Sequence, residues 1–241
     1  MFQNLRKSKK LLLIAMTCAT FAIAGCGSDT TKTTADNGTS VTWSETFDGT
    51  KTDFAVKSAP THAVSMSQAT TEMMLQLDLE DKMAGTAFKE EEIYPPLQAA
   101  YDKVKVLSDK WPSYEVFMSV KPDFATGWPD SFSKRAIPAD KMISQKVNIW
   151  IPESMLSTKA DLETNFSDMI KLGEIFGVKP KAEEWVAGQR KTLAAIQDKL
   201  KDLPRKRVFI YDSEDGQPFT AFEGYTTNIL KLIGADNVMS G

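Results

Sequence analysis

Between Ala63 and Ile151 the chain alternates short apolar runs with stretches of helical periodicity, and this alternation narrows the possible folds more than any other feature. Ala63–Met66, Met83–Ala87, Val104–Leu107, Phe124–Thr126 and Val147–Ile151 have the length and composition of strands. Between them, Ala69–Leu77, Pro96–Tyr101 and Tyr114–Val120 read as helices. Ser67 and Ser113 stand where N-caps belong, and Pro95-Pro96 where a first helical turn tolerates proline. Strands separated by helices form a mostly parallel sheet covered on its faces. Ahead of them, Val41–Phe47 and Lys51–Lys57 flank Asp48-Gly49, a hairpin signal. One α/β lobe is therefore expected over residues 41–157. Met66, Met73, Met74 and Met83 fall at apolar positions and read as core filler rather than a copper site.

After Ser157 the alternation breaks, because two helices follow in succession. The first, over 158–177, opens at Thr158-Lys159-Ala160-Asp161, which resembles a capping box with Asp for Glu. Leu162, Phe166, Met169, Ile170, Gly173 and Phe176 keep one face apolar or small, and Gly177 and Pro180 punctuate its end. The second helix runs from about Ala182 to Leu203. Then come one convincing strand, Arg207–Tyr211, and a helix from Tyr225 to Ile233. Residues 178–241 are expected to be an incomplete C-terminal lobe, since a segment of that content cannot cover a sheet by itself.

The other end of the chain speaks to location. Residues 1–25 have a basic start at Arg6, Lys7, Lys9 and Lys10, and an apolar run from Leu11 to Ile23. They are expected to be an export signal, the run being shorter than the roughly 20 residues of a transmembrane helix. Ile23-Ala24-Gly25-Cys26-Gly27 resembles the lipobox of bacterial lipoproteins, which makes Cys26 the expected lipidation site. Residues 26–40 are then a lipidated cysteine and a flexible tether of Thr, Ser, Asp, Asn and Gly. The expected location is the extracytoplasmic face of the cell membrane, held by lipid.

Composition closes off several chemistries. The chain has two cysteines, Cys18 and Cys26, and one histidine, His62. With the first lost in the signal and the second carrying lipid, a disulfide, a zinc–thiolate site and a thiol nucleophile are excluded. One histidine leaves no multi-histidine metal site, and no P-loop sequence occurs. The expectation is neither an enzyme nor a resident cofactor. Removing residues 1–25 takes away four positive charges and no negative ones, moving the formal net charge from −3 to −7. That balance argues against nucleic acid as a partner.

Pro60-Thr61-His62-Ala63-Val64-Ser65-Met66-Ser67, followed by Thr70-Thr71-Glu72-Met73-Met74-Leu75, resembles the first strand and helix of a known family. Pro112 to Phe124, with Tyr114-Glu115-Val116-Phe117 inside it, is similar to that family's most recognisable segment. The family is that of the ABC-importer receptors for siderophores, cobalamin and haem. The resemblance implies two Rossmann-like α/β lobes joined by one long rigid helix, placed here at 158–177, with the second lobe truncated. It implies capture of a ferric siderophore, or else cobalamin or haem, the ligand itself carrying iron or cobalt. The implied partners are a membrane permease with its ATPase subunits. A non-transport surface-binding lipoprotein on the same fold is the reading from another class.

Site residues follow from the same resemblance. Glu115 corresponds to a glutamate that docks onto permease arginines; its alternative is a first-turn carboxylate favoured by the helix dipole. Trp128, just past the strand Phe124–Thr126, is expected to face the ligand, the alternative being packing on Pro129. Tyr94-Pro95-Pro96 is similar to a Tyr-Pro-Pro turn at the cleft rim of cobalamin receptors. Ser67 and Gln68 stand where they could donate hydrogen bonds to a ligand, although Ser67 also suits a helix cap. Trp150 belongs either to the core or, through its position near Pro152, to the cleft. Glu90-Glu91-Glu92 reads as a solvated charge run; at a cleft lip it would disfavour anionic chelates.

Overall fold

The structure, a computed structural model, describes residues 40–220 and 223–240. The expected signal over 1–25, Cys26 and the tether as far as residue 39 lie outside the described residues. The described residues cluster as one unit, with no division at 157 or 177.

Five strands make the central sheet: β3 (Ala63–Ser65), β4 (Met83–Ala87), β5 (Val106–Ser108), β6 (Phe124–Thr126) and β7 (Asn148–Trp150). All neighbours are parallel, in the order β5-β4-β3-β6-β7. The helices between them are α1 (Gln68–Gln76), α2 (Gln98–Tyr101), α3 (Tyr114–Ser119) and α4 (Ala139–Ser144). The sequence reading did not place α4; its six residues follow Pro138 and bury only Ala139 and Met142, too few for a visible period. Side chains alternate between the faces, as a pleat requires. Ala63, Phe124 and Trp150 enter one core with Met73, Met74, Phe166 and Met169. Val64, Ala125 and Ile149 enter the other with Phe117, Phe132 and Met142. The four methionines named above are all buried.

Ahead of the sheet, β1 (Val41–Phe47) and β2 (Thr50–Val56) form the expected antiparallel hairpin. Asp48 and Gly49 both have positive φ, 47° and 78°, the backbone a tight two-residue turn needs. The hairpin also covers the sheet where β7 ends it. Trp43 Nε1 donates to the Ile149 carbonyl at 2.7 Å, and Glu45 accepts from the Ile151 N–H at 2.9 Å. An edge strand is thus closed by side chains instead of another strand.

Two helices follow, α5 (Leu162–Ile175) and α6 (Lys179–Leu200). The capping box lies one turn later than the sequence reading has it. Asp161 is itself the N-cap, accepting from Thr164 N at 2.9 Å, while Thr164 Oγ1 accepts from Asp161 N at 3.3 Å. The connector also needs correcting. The helix within 158–177 is built into the first core through Phe166, Met169, Leu172 and Ile175. The element that leaves that core is α6, of which only Ala182 and Val186 are buried. Gly173 lets the two helices meet, because a Cβ there would stand 2.6 Å from Ala182 Cβ.

At its far end α6 reaches β8 (Lys206–Val208), a small hairpin of β9 (Ser213–Glu214) and β10 (Pro218–Phe219), then α7 (Tyr225–Leu232) and β11 (Ala235–Asn237). Strands β8 and β11 pair in parallel across α7, the unit from which a second α/β sheet grows. The whole is a mixed α/β protein with a central parallel sheet, as expected.

Candidate ligand cleft

In the order β5-β4-β3-β6-β7 the chain reverses direction between β3 and β6. Loops leaving those two strands diverge, and ligands of open α/β sheets bind in the crevice this creates at the strands' C-terminal ends. Met66, just after β3, anchors that edge: its N–H donates to the Thr126 carbonyl at 2.7 Å, and its carbonyl accepts from Trp111 Nε1 at 3.1 Å and Ser131 Oγ at 3.3 Å. Gly127, just after β6, has no room for a side chain; a Cβ would lie 2.8 Å from Ser131 Oγ and 3.1 Å from Met66 Cβ. The close approach fixes where Trp128 begins.

Trp128 borders a cavity of about 390 Å³ lined by Phe88, Glu90, Trp111, Pro129 and Asp130. Phe88 and Trp111 stack at 4.5 Å between centroids, 17° from parallel. Phe88 turns the chain at φ 60°, an unusual backbone for an aromatic residue. Trp128 Nε1 donates to Glu90 at 3.4 Å, and Asp130 pairs with Arg135 at 2.7 Å. Flat aromatic faces with polar groups at their edge offer stacking and oriented hydrogen bonds to a flat or rounded solute.

The expected site residues part ways here. Trp128 lies in the cavity wall. Gln68 braces the rim instead of entering the cavity: its Oε1 accepts from Glu90 N and Glu91 N at 2.9 and 2.7 Å, and its Nε2 donates to Glu92 O at 3.1 Å. Ser67 is wholly buried at 0% exposure, caps α1 by accepting from Thr70 N, and faces Thr70 Oγ1 at 2.8 Å. Its hydroxyl has no open side for a ligand. Trp150 is 4% exposed and belongs to the core under α5. Tyr94, 55% exposed, borders a separate depression of about 800 Å³ with Glu72, Pro96, Asn165 and Trp185, between α1 and the pair α5–α6. Phe88 and Trp111 were not singled out in the sequence, although both follow strand ends and that position was their signal.

Glu115 is exposed in the first turn of α3, where Ser113 caps the helix by accepting from Val116 N at 3.3 Å. Hydrogen bonds from its own backbone and from Ser113, with the charge of Lys141 nearby, hold its carboxyl below the usual range. It is an ionised group on an open surface. Among the described residues no group of three His, Cys, Asp or Glu gathers as a metal would require, and no helix is long and apolar enough to cross a membrane.

Comparison with known proteins adds the following. The model of the periplasmic binding protein family matches residues 64–240. A relative from Bacillus subtilis, the uncharacterized ABC transporter substrate-binding lipoprotein YvrC, is 26% identical over 237 residues, covering 96% of this chain and 73% of the relative. The crystal structure of a periplasmic binding protein from Veillonella parvula superposes with a TM-score of 0.84 at 98% identity, over 85% of this chain and 69% of that one. An ABC-type Fe3+-hydroxamate transport protein from Saccharomonospora viridis has a TM-score of 0.62 at 17% identity, over 82% of this chain and 70% of the other.

Proposed function

We propose, from the premise that this chain belongs to the periplasmic binding protein family, that it is the solute receptor of an ABC importer and captures a ferric siderophore outside the membrane. The observation that carries the reading is the aromatic cavity of Phe88, Trp111 and Trp128 at the reversal between β3 and β6. A bulky chelate presents broad faces, and rigid aromatic rings contact them at little cost in conformational entropy. The fold is shared alike with an Fe3+-hydroxamate transport protein, a vitamin B12 binding protein and a haem binding protein. Cobalamin and haem are the other solutes of this chemistry, distinguished by titration. Anchoring through lipid on Cys26 goes with the lipoprotein character of the Bacillus relative. Delivery would run through Glu115, whose exposed carboxylate suits a bidentate arginine on the permease.

The test is tryptophan fluorescence of the purified protein titrated with ferric siderophores, cobalamin and haem. Saturable quenching by one of them, reduced at least about tenfold in apparent affinity by Trp128→Ala, is the expected result. Absence of quenching by all three overturns the proposal.

A further inference from the structure

The cavity wall is aromatic, but acidic residues stand at its edge, on a loop whose backbone is braced. Glu90 lines the cavity, Glu91 and Glu92 follow it on the loop after β4, and Glu72 on α1, at the neighbouring depression, holds the far end of that loop. Gln68 ties all four together. It receives the backbone N–H groups of Glu90 and Glu91 and donates to the Glu92 carbonyl and to Glu72 Oε1, the last at 2.9 Å. Glu72 Oε1 also accepts from Tyr94 N at 3.1 Å, which pins the far end of the loop. None of these four carboxylates has a lysine or arginine partner among the described residues. Asp130, the other acid of the wall, does: Arg135 neutralises it. Lys89 is the one cation within the loop itself. The contact from Trp128 Nε1 holds the Glu90 carboxylate against the edge of the cavity.

We propose that this cavity selects its solute by charge, accepting cationic or neutral chelates and rejecting polyanionic ones; the inference rests on the receptor function proposed above. Both walls act in the same sense. The faces of tryptophan and phenylalanine carry negative quadrupole potential, which attracts a cation and disfavours an anion. The Glu90 carboxylate, which has no cationic partner among the described residues, offers one to a cationic group, whereas a polyanion would meet like charge. Hydroxamate complexes, which are neutral or cationic, fit these walls. Tris-catecholate complexes, which are triply anionic, do not. The bracing by Gln68 matters because it fixes the backbone that carries Glu90 to the cavity edge, and a loose loop would let that carboxylate leave it.

The experiment titrates the purified protein with three ferric complexes: ferrioxamine B, which is cationic, ferrichrome, which is neutral, and ferric enterobactin, which is triply anionic. Tryptophan fluorescence reports each affinity at low and at physiological salt. The expected cationic-to-trianionic affinity ratio is about tenfold or more at low salt, shrinking as salt screens the rim. In the variant Glu90→Gln/Glu91→Gln/Glu92→Gln the ratio should fall severalfold at low salt. Because the ratio is the readout, a uniform loss of binding does not mimic the effect. Enterobactin binding as tightly as ferrioxamine B to the unaltered protein, or a ratio unmoved in the variant, overturns the charge rule while leaving the receptor intact. Failure of all three complexes, together with cobalamin and haem, overturns the receptor reading and this inference with it.

Discussion

Glu45 is buried at 5% exposure, and burial is the main reason its carboxyl pKa is pushed up to about 7. The Ile151 N–H opposes the shift, while the charges of Glu153 and Asp168 add to it. Asp168, also buried, accepts from Glu153 N and Ser154 N at 2.9 Å each and is shifted upward by burial too. Below pH 4.5 Glu45 is protonated in folded and unfolded chains alike and contributes no pH dependence. Between there and about 7 the unfolded chain releases the proton first, so stability falls as pH rises, by about 3 kcal/mol at most. Glu45→Gln keeps an acceptor for Ile151 N and removes the titration. Thermal melts should coincide for the two proteins near pH 4.5 and favour the variant above pH 7. A difference that does not change with pH would show that another group is responsible. At this scale the sequence was legible where a residue's role is local. Ser67 as a cap, Trp128 beyond a strand end and the methionines in the core could all be read from near neighbours. Gln68 was not, because its partners lie on a loop more than twenty residues away. Phe88 and Trp111 become a wall only once β4 and β5 lie side by side.

Among the elements, α5 and α6 depend most sharply on one position. A Cβ at Gly173 would stand 2.6 Å from Ala182 Cβ and 3.2 Å from Lys179 Cα, and the latter is backbone that cannot swing away. Gly173→Val therefore forces the helices apart or strains α5, with an expected loss of about 1–3 kcal/mol. Urea unfolding measures it, and a variant as stable as the parent would show that the pair is not closely packed. The strands of the sheet and the hairpin were legible because apolar runs and Asp-Gly turns carry their own signals. Short elements were not: α4, β9, β10 and β11 hold two to six residues each, and tertiary pairing rather than local preference makes them. The start of α5 was displaced by a turn because two residues, Thr158 and Asp161, both have the chemistry of a cap. The structure selects Asp161, which finds Thr164 waiting at the third position.

For the whole molecule, capture and delivery should separate. Glu115 lies on an open helix start and lines no part of the aromatic cavity. Glu115→Ala is expected to bind the chelate as the parent does while uptake by cells falls at least about tenfold. Equal uptake would remove docking from this residue and favour a surface-binding role. The two-lobe family character was legible from Pro60–Leu75 and Pro112–Phe124, but the element that leaves the first core was not. Both 158–177 and 182–203 read as helices, and only burial tells them apart. That distinction has a mechanical consequence. Helix α6 is held to the first core by Ala182 and Val186 and to α5 by Arg190, which pairs with Glu163, and then runs on to Leu200, about 15 Å at 1.5 Å per residue. Its geometry is that of a cantilever, in which a tilt of about 5° at the clamp would displace the tip by about 1 Å. At the tip it meets α7 through Gln197, which donates to the Leu232 carbonyl at 3.4 Å. The close meeting of Gly173 and Ala182 at the root therefore sets where the far end of the helix carries β8 and β11, as a lever's fulcrum sets its tip.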